Sequence, residues 1–227
     1  MQRLSLPEPK RTFPMEKANL PVSVYAEMTP NPAVLKFVAN KRLVDHDALE
    51  FKNIDEAKPS PLAVRLFHFP FVKEIFISAN YLSITKYDLV EWEEVTMELR
   101  ELIRDFLASG GEVYQGEAPM GPSRESGPEK APQKANAPWA KLEKPRDQWD
   151  AIDVKIVSLL DEYVQPAVAS DGGNIKFLSH KDGVVSVLLQ GACSGCPSST
   201  LTLKDGIERM LSEMLPGQIK AVQAVNG

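Results

Sequence analysis

The sequence predicts an α+β protein made of two small α/β domains joined by a flexible Pro/Gly-rich linker. Three observations carry this expectation. β-branched and aromatic runs alternate with two helical periodicities up to residue 109, the composition breaks over residues 110–148, and the remainder follows the order α-β-β-α-β.

The first domain is expected over residues 21–109, after a disordered leader at 1–20 that carries three prolines. Strand-like runs fall at Val22–Met28, Val34–Ala39, Val72–Ile77 and Tyr81–Lys86, with a short turn around Ser78–Asn80 joining the last two. Pro61–Phe67 reads as a short helix. Glu91–Leu107 reads as a longer one, because Val95, Leu99, Leu102, Ile103 and Phe106 share a face and Gly110-Gly111 follow. This half holds no cysteine and no catalytic constellation.

Residues 110–148 hold six of the 18 prolines and five of the 13 glycines. Such a stretch buries too little apolar surface to offset its ordering, which makes it the linker. Trp139 stands within it as an incidental or transiently docking aromatic, and Trp149 is expected to pack at the next helix start.

The second domain is expected over residues 149–227. Ile152, Ile156, Leu159, Leu160 and Tyr163 form the stripe of a helix over Ile152–Val168, which Pro166 must interrupt and Asp171-Gly172-Gly173 closes. Strands at Asn174–Ser179 and Val184–Gln190 meet at a Lys181-Asp182-Gly183 turn. A helix from about Ser198 to Leu215 and a strand at Ile219–Val225 complete the order.

Charge and hydropathy limit the function classes. The net charge is −5, and residues 151–227 carry six Lys/Arg against eight Asp/Glu, so no basic face for nucleic acid is expected. No run of about 18 apolar residues points to a membrane span. The amino-terminal residues lack the apolar stretch of a secretory signal, and the reading is a bacterial cytoplasmic protein, with the mitochondrial matrix as the lesser alternative.

The chain has only two cysteines, in the run Gly191-Ala192-Cys193-Ser194-Gly195-Cys196-Pro197. In a reducing compartment such a pair points to metal or redox chemistry before a structural disulfide. The glycines permit tight turns and close approach of a bulky inorganic group. A helix start just after the loop is expected to favour negative charge and so lower the thiol pKa values.

Four ligands are usual for zinc and for the common iron–sulfur clusters, and one chain supplies two thiols. His180 reads as a solvated turn residue, and His46 and His68 lie in the other half without ligand-like spacing. A two-fold homodimer supplies the missing pair, at a surface site suited to delivery. The motif leaves open a thiol–disulfide oxidoreductase, a structural-zinc dimer and an incidental pair. Against the first, about 30 residues after Cys196 leave too little chain to complete a thioredoxin-like sheet.

The runs Pro166–Gly173, Gly191–Thr200 and Leu201-Thr202-Leu203-Lys204 together resemble the carboxy-terminal domain of NifU-like (Nfu-type) proteins. The first half is similar to the Nfu amino-terminal domain. It does so through Thr29-Pro30-Asn31-Pro32, Lys36-Phe37-Val38, Ser60–Ala63, Leu66-Phe67, Tyr81–Lys86 and Trp92. Gln165 and Asn174 depart from the family pattern, which often has arginine and aspartate there.

The resemblance implies a non-enzymatic scaffold or carrier. An iron–sulfur cluster, usually 4Fe–4S with 2Fe–2S the alternative, would be bridged across a homodimer by Cys193 and Cys196. Upstream cluster-assembly proteins and apo iron–sulfur targets would be its partners.

Overall fold

The computed structural model describes residues 21–45, 48–116, 138–194 and 197–226. The leader at 1–20, most of the expected linker, His46 and Cys196 lie outside the described residues.

The first sheet contains β1 (Val24–Met28), β2 (Val34–Ala39), β3 (Leu49–Phe51), β4 (Val72–Ser78) and β5 (Tyr81–Lys86). They pair antiparallel in the order β1-β2-β5-β4-β3. The period of two sends Leu35, Phe37, Leu49, Ile75, Ile77, Leu82 and Ile84 into one core. Two helices contribute to that core, α1 (Pro61–Leu66) and α2 (Trp92–Ala108).

Ser60 caps α1 by accepting from the Ala63 N–H, and its hydroxyl donates to Val113 O across the core. Glu91 and Glu94 form a reciprocal capping box at the start of α2. Leu99 and Ile103 of this helix are buried as expected, and Trp92 donates its indole N–H to Pro32 O at 2.9 Å.

β3 is absent from the sequence reading. Its three residues give too little alternation to rise above a turn-rich stretch. The β4–β5 turn is tighter than expected: Ser78 pairs with Tyr81, and Ala79 takes a φ of 45°.

The second module begins with α3 (Ala151–Leu159), continues as a π-helical stretch over Leu160–Val164, and ends as α4 (Gln165–Ser170). Pro166 has no N–H to donate, and the chain widens just ahead of it so that Gln165 N–H bonds Leu160 O. The expected interruption is therefore a π-bulge, and Gly172 closes the segment at a φ of 80°.

A three-stranded sheet follows, β6 (Gly173–Lys181), β7 (Val184–Gly191) and β8 (Ala221–Asn226), in the order β6-β7-β8. β6 and β7 form an antiparallel hairpin through Asp182 and Gly183, both at positive φ. β8 pairs parallel to β7, the crossover between them being α5 (Pro197–Met214). A second core forms from Ile156, Val168, Ile175, Val187, Leu189, Ile207 and Leu211, with Cys193 among them. No helix of the described residues is long and apolar enough to cross a membrane.

Residues 138–148, inside the expected linker, form two short 3-10 turns against this second core. Lys144 N–H bonds Leu178 O, Glu143 pairs with Lys176, and Trp149 meets Phe177 edge-on at 5.4 Å between ring centroids. Asp153 anchors the arrangement. It is fully buried, takes the Lys144 ammonium, and accepts the Asp150 N–H as the third residue of a capping box. Asp153→Ala is expected to lower the unfolding free energy of the second module by about 1–2 kcal/mol, read from its chemical-denaturation midpoint.

Candidate metal centre

Cys193 lies just past the end of β7, on the loop leading into α5. The ladder beneath it narrows to two glycines facing each other, Gly173 on β6 and Gly191 on β7. A Cβ on Gly173 would stand 2.7 Å from the Cys193 sulfur, so only hydrogen fits beside the thiol. Gly191 holds a φ of 64°, which turns the chain; Ser194 then folds back, its N–H and Oγ both bonding Gly191 O. Thr200 Oγ1 donates to Cys193 O at 3.1 Å and ties the loop to the first turn of α5. Glycine turns and strand thus build a cradle free of side chains around the Cys193 sulfur. Cys196, the second expected ligand, lies outside the described residues.

The cradle is covered from the side of the first module. Lys36, Val38, Glu50, Phe76, Tyr81 and Ser83 lie on the opposite face of the first sheet from its helices, and this face meets the glycine turns. Tyr81 Oη donates to Gly173 O at 2.7 Å, Ser83 Oγ to Gly172 O at 2.7 Å, and Lys36 Nζ to Ser170 O at 3.2 Å. Gly191 N–H donates to Glu50 Oε1 at 3.1 Å. Phe76, Val38 and Tyr81 cluster with Ala169 of α4. Cys193, in the second core beside this junction, is 8% exposed.

Burial reverses the expected electrostatics. Instead of being lowered by a helix terminus, the Cys193 thiol is pushed up to about 11, first by desolvation and then by the Asp171 carboxylate. The sulfur belongs to the second core, where loss of water disfavours the thiolate. Desolvation also pushes Tyr81 up to about 12 and raises Glu50 above the ordinary carboxylate range.

Neither described histidine adds a ligand. His68 is exposed, with Nδ1 against Val64 O. His180 sits in β6 opposite Val185, half-buried with Nε2 unpartnered, and so is not the solvated turn residue expected. It occupies the far end of the hairpin from Cys193. Among the described residues no three His, Cys, Asp or Glu side chains could hold a metal together.

Gln165 and Asn174, the two departures from the resembled pattern, touch each other: Gln165 Nε2 donates to Asn174 Oδ1 at 2.9 Å. Asn174 in turn donates to Gln190 at 3.2 Å. A neutral amide chain therefore stands one pair below the glycines.

Sequence reasoning missed Glu50 and Phe76 altogether. Lys36, Tyr81 and Ser83 fall in expected strands and in the resembling runs, with no site role expected of them. The available signal was β2 itself, apolar on both faces, as in a strand covered on both sides.

Two family models match the chain. One, described as scaffold protein Nfu/NifU N terminal, spans residues 24–110; the other, described as NifU-like domain, spans residues 156–223. The human protein named NFU1 iron-sulfur cluster scaffold homolog, mitochondrial, is 32% identical over 203 residues, covering 89% of this chain and 71% of that protein. A Drosophila sechellia protein of the same name is 34% identical over 203 residues, and the chain spans 64% of its length.

The solution NMR structure of a NifU-like protein from Saccharomyces cerevisiae is 28% identical. The match covers 42% of this chain and 87% of that one, at a TM-score of 0.39. Both curated relatives are named mitochondrial, which overturns the bacterial cytoplasmic expectation.

The raised thiol pKa has a direct consequence. In a Cys196→Ser variant, where only Cys193 can react, iodoacetamide modification is expected to be slow at pH 8 and to climb about tenfold per pH unit towards pH 11. A rate at pH 8 matching that of a free cysteine peptide contradicts the buried thiol. Gly173→Ala is expected to displace the sulfur and raise that rate at fixed pH.

Proposed function

This chain belongs to the Nfu/NifU scaffold family, and from that membership and the cysteine loop we propose that it carries an iron–sulfur cluster as cargo between two copies of itself. Each copy gives Cys193 and Cys196, and the cargo is of the 4Fe–4S type. The supporting observation is the cradle: a strand end reduced to facing glycines that presents Cys193, on a chain with two cysteines and no further ligand group among the described residues. Residues 21–109 and 149–227 act as separate modules in this reading, in the mitochondrial compartment for which the relatives are named.

The carrier is not an enzyme. An incoming thiolate of an apo-protein forms an iron–sulfur bond as one to Cys193 or Cys196 breaks, with no change of oxidation state. The released cysteine takes up the proton that the recipient thiol gave up. The raised pKa of Cys193 describes the buried thiol of the chain without cargo. It speaks against a thiol–disulfide oxidoreductase, whose attacking sulfur must be a thiolate near neutral pH.

Anaerobic reconstitution with iron and sulfide is expected to give a brown dimer with about four iron and four sulfide per two chains. Cys193→Ser and Cys196→Ser each abolish it. Tight uptake of one zinc per dimer without iron favours the structural-zinc alternative. A monomer holding the full complement of iron and sulfide overturns the shared site.

A further inference from the structure

The thiol that would bind cargo is shut away inside the same chain. Both edges of the cradle are held by the first module through hydrogen bonds to backbone, namely the carbonyls of Ser170, Gly172 and Gly173 and the N–H of Gly191, with Ala169 packed beside them. The surface making them is built for close approach. Ser83 and Phe76 are each 2% exposed, and a Cβ on Gly172 would stand 2.8 Å from Ser83 Oγ. A Cβ on Gly191 would stand 2.8 Å from the Phe76 ring. None of these side chains belongs to the first module's main core.

We propose that the outer face of the first sheet, centred on Ser83, Tyr81, Phe76 and Glu50, is a docking surface whose occupant is the chain's own glycine turns, and that this docking closes Cys193 off until the face releases. Recognition is by shape and backbone hydrogen bonding. Two glycine turns without side chains slide onto a flat strand surface, as a side chain at 172 or 191 would forbid. A second copy needs the same sulfur for a bridging site, so closed docking and pairing of the cysteines compete. The competition rests on the cluster reading; the docking does not.

Ser83→Glu places a charge at the centre of the interface without entering the first core. With Cys196→Ser as the background, wild-type docking predicts slow iodoacetamide modification of Cys193 at pH 8. The Ser83→Glu variant is expected to react at least tenfold faster and to show a larger radius of gyration in small-angle X-ray scattering. Tyr81→Phe with Ser83→Ala, which removes two hydrogen bonds and no bulk from the core, is expected to lie between them. Circular dichroism of each variant checks the fold, and the milder pair keeps the test decisive should the charged variant unfold.

Equal modification rates and equal radii in wild type and a folded variant overturn the docking. In chains that retain both cysteines, iron and sulfide uptake is read separately. Faster loading in the open variant is expected, and equal loading overturns the competition. Failure of wild type and variant alike to load, with the thiol opened, counts against the cluster reading and leaves the docking standing.

Discussion

Backbone approaching backbone without intervening Cβ atoms is the constraint on which this structure turns. Around Cys193, Gly172, Gly173 and Gly191 allow three things at once: the end of the β6–β7 ladder, the sulfur, and the first module's sheet. Each position is limited by a different neighbour, Ser83 at 172, the thiol at 173, and Gly172 O with the Phe76 ring at 191. The Ser170, Gly172 and Gly173 carbonyls and the Gly191 N–H are bonded across the junction. That matters because a buried backbone group without a partner costs about 1–3 kcal/mol, whereas each bond made returns about 0.5–1.5 kcal/mol. A junction of this kind is specific yet only moderately strong, as reversible closure requires.

The same economy of side chains explains what was readable in advance. Periodicity disclosed α2 because its burial is striped through Leu99 and Ile103, and β5 because Leu82 and Ile84 alternate with polar residues even though both faces of that strand are buried. Pro166 announced a break but not its form, since a missing N–H can be accommodated by a kink, an end or, as here, a π-bulge. β3 escaped because three residues carry no measurable period. The end of the expected linker escaped for a different reason. Its order comes from distant partners, Leu178, Lys176 and Phe177, which composition cannot see.

At the site, the cysteine spacing and flanking glycines were legible, and the environment was not. A helix start after the loop argued for a stabilised thiolate, yet the sulfur joins the second core and its pKa rises. Local sequence reports the dipole; only the assembled chain reports the loss of water. Glu50 is the clearest case, a single acidic residue in a short strand, whose role depends on an amide 141 positions away.

Chain order gives the covering face a further meaning. The first module completes its last helix at Ala108, and Cys193 follows 85 positions later. At ordinary rates of translation that interval is about 4–17 s, and amino-terminal domains commonly fold as units in that time. The face that meets the glycine turns is thus synthesised before Cys193. The last strand, β8, closes the second sheet only when the final residues emerge. The glycine turns beside Cys193 thus meet a surface that precedes them in the same chain.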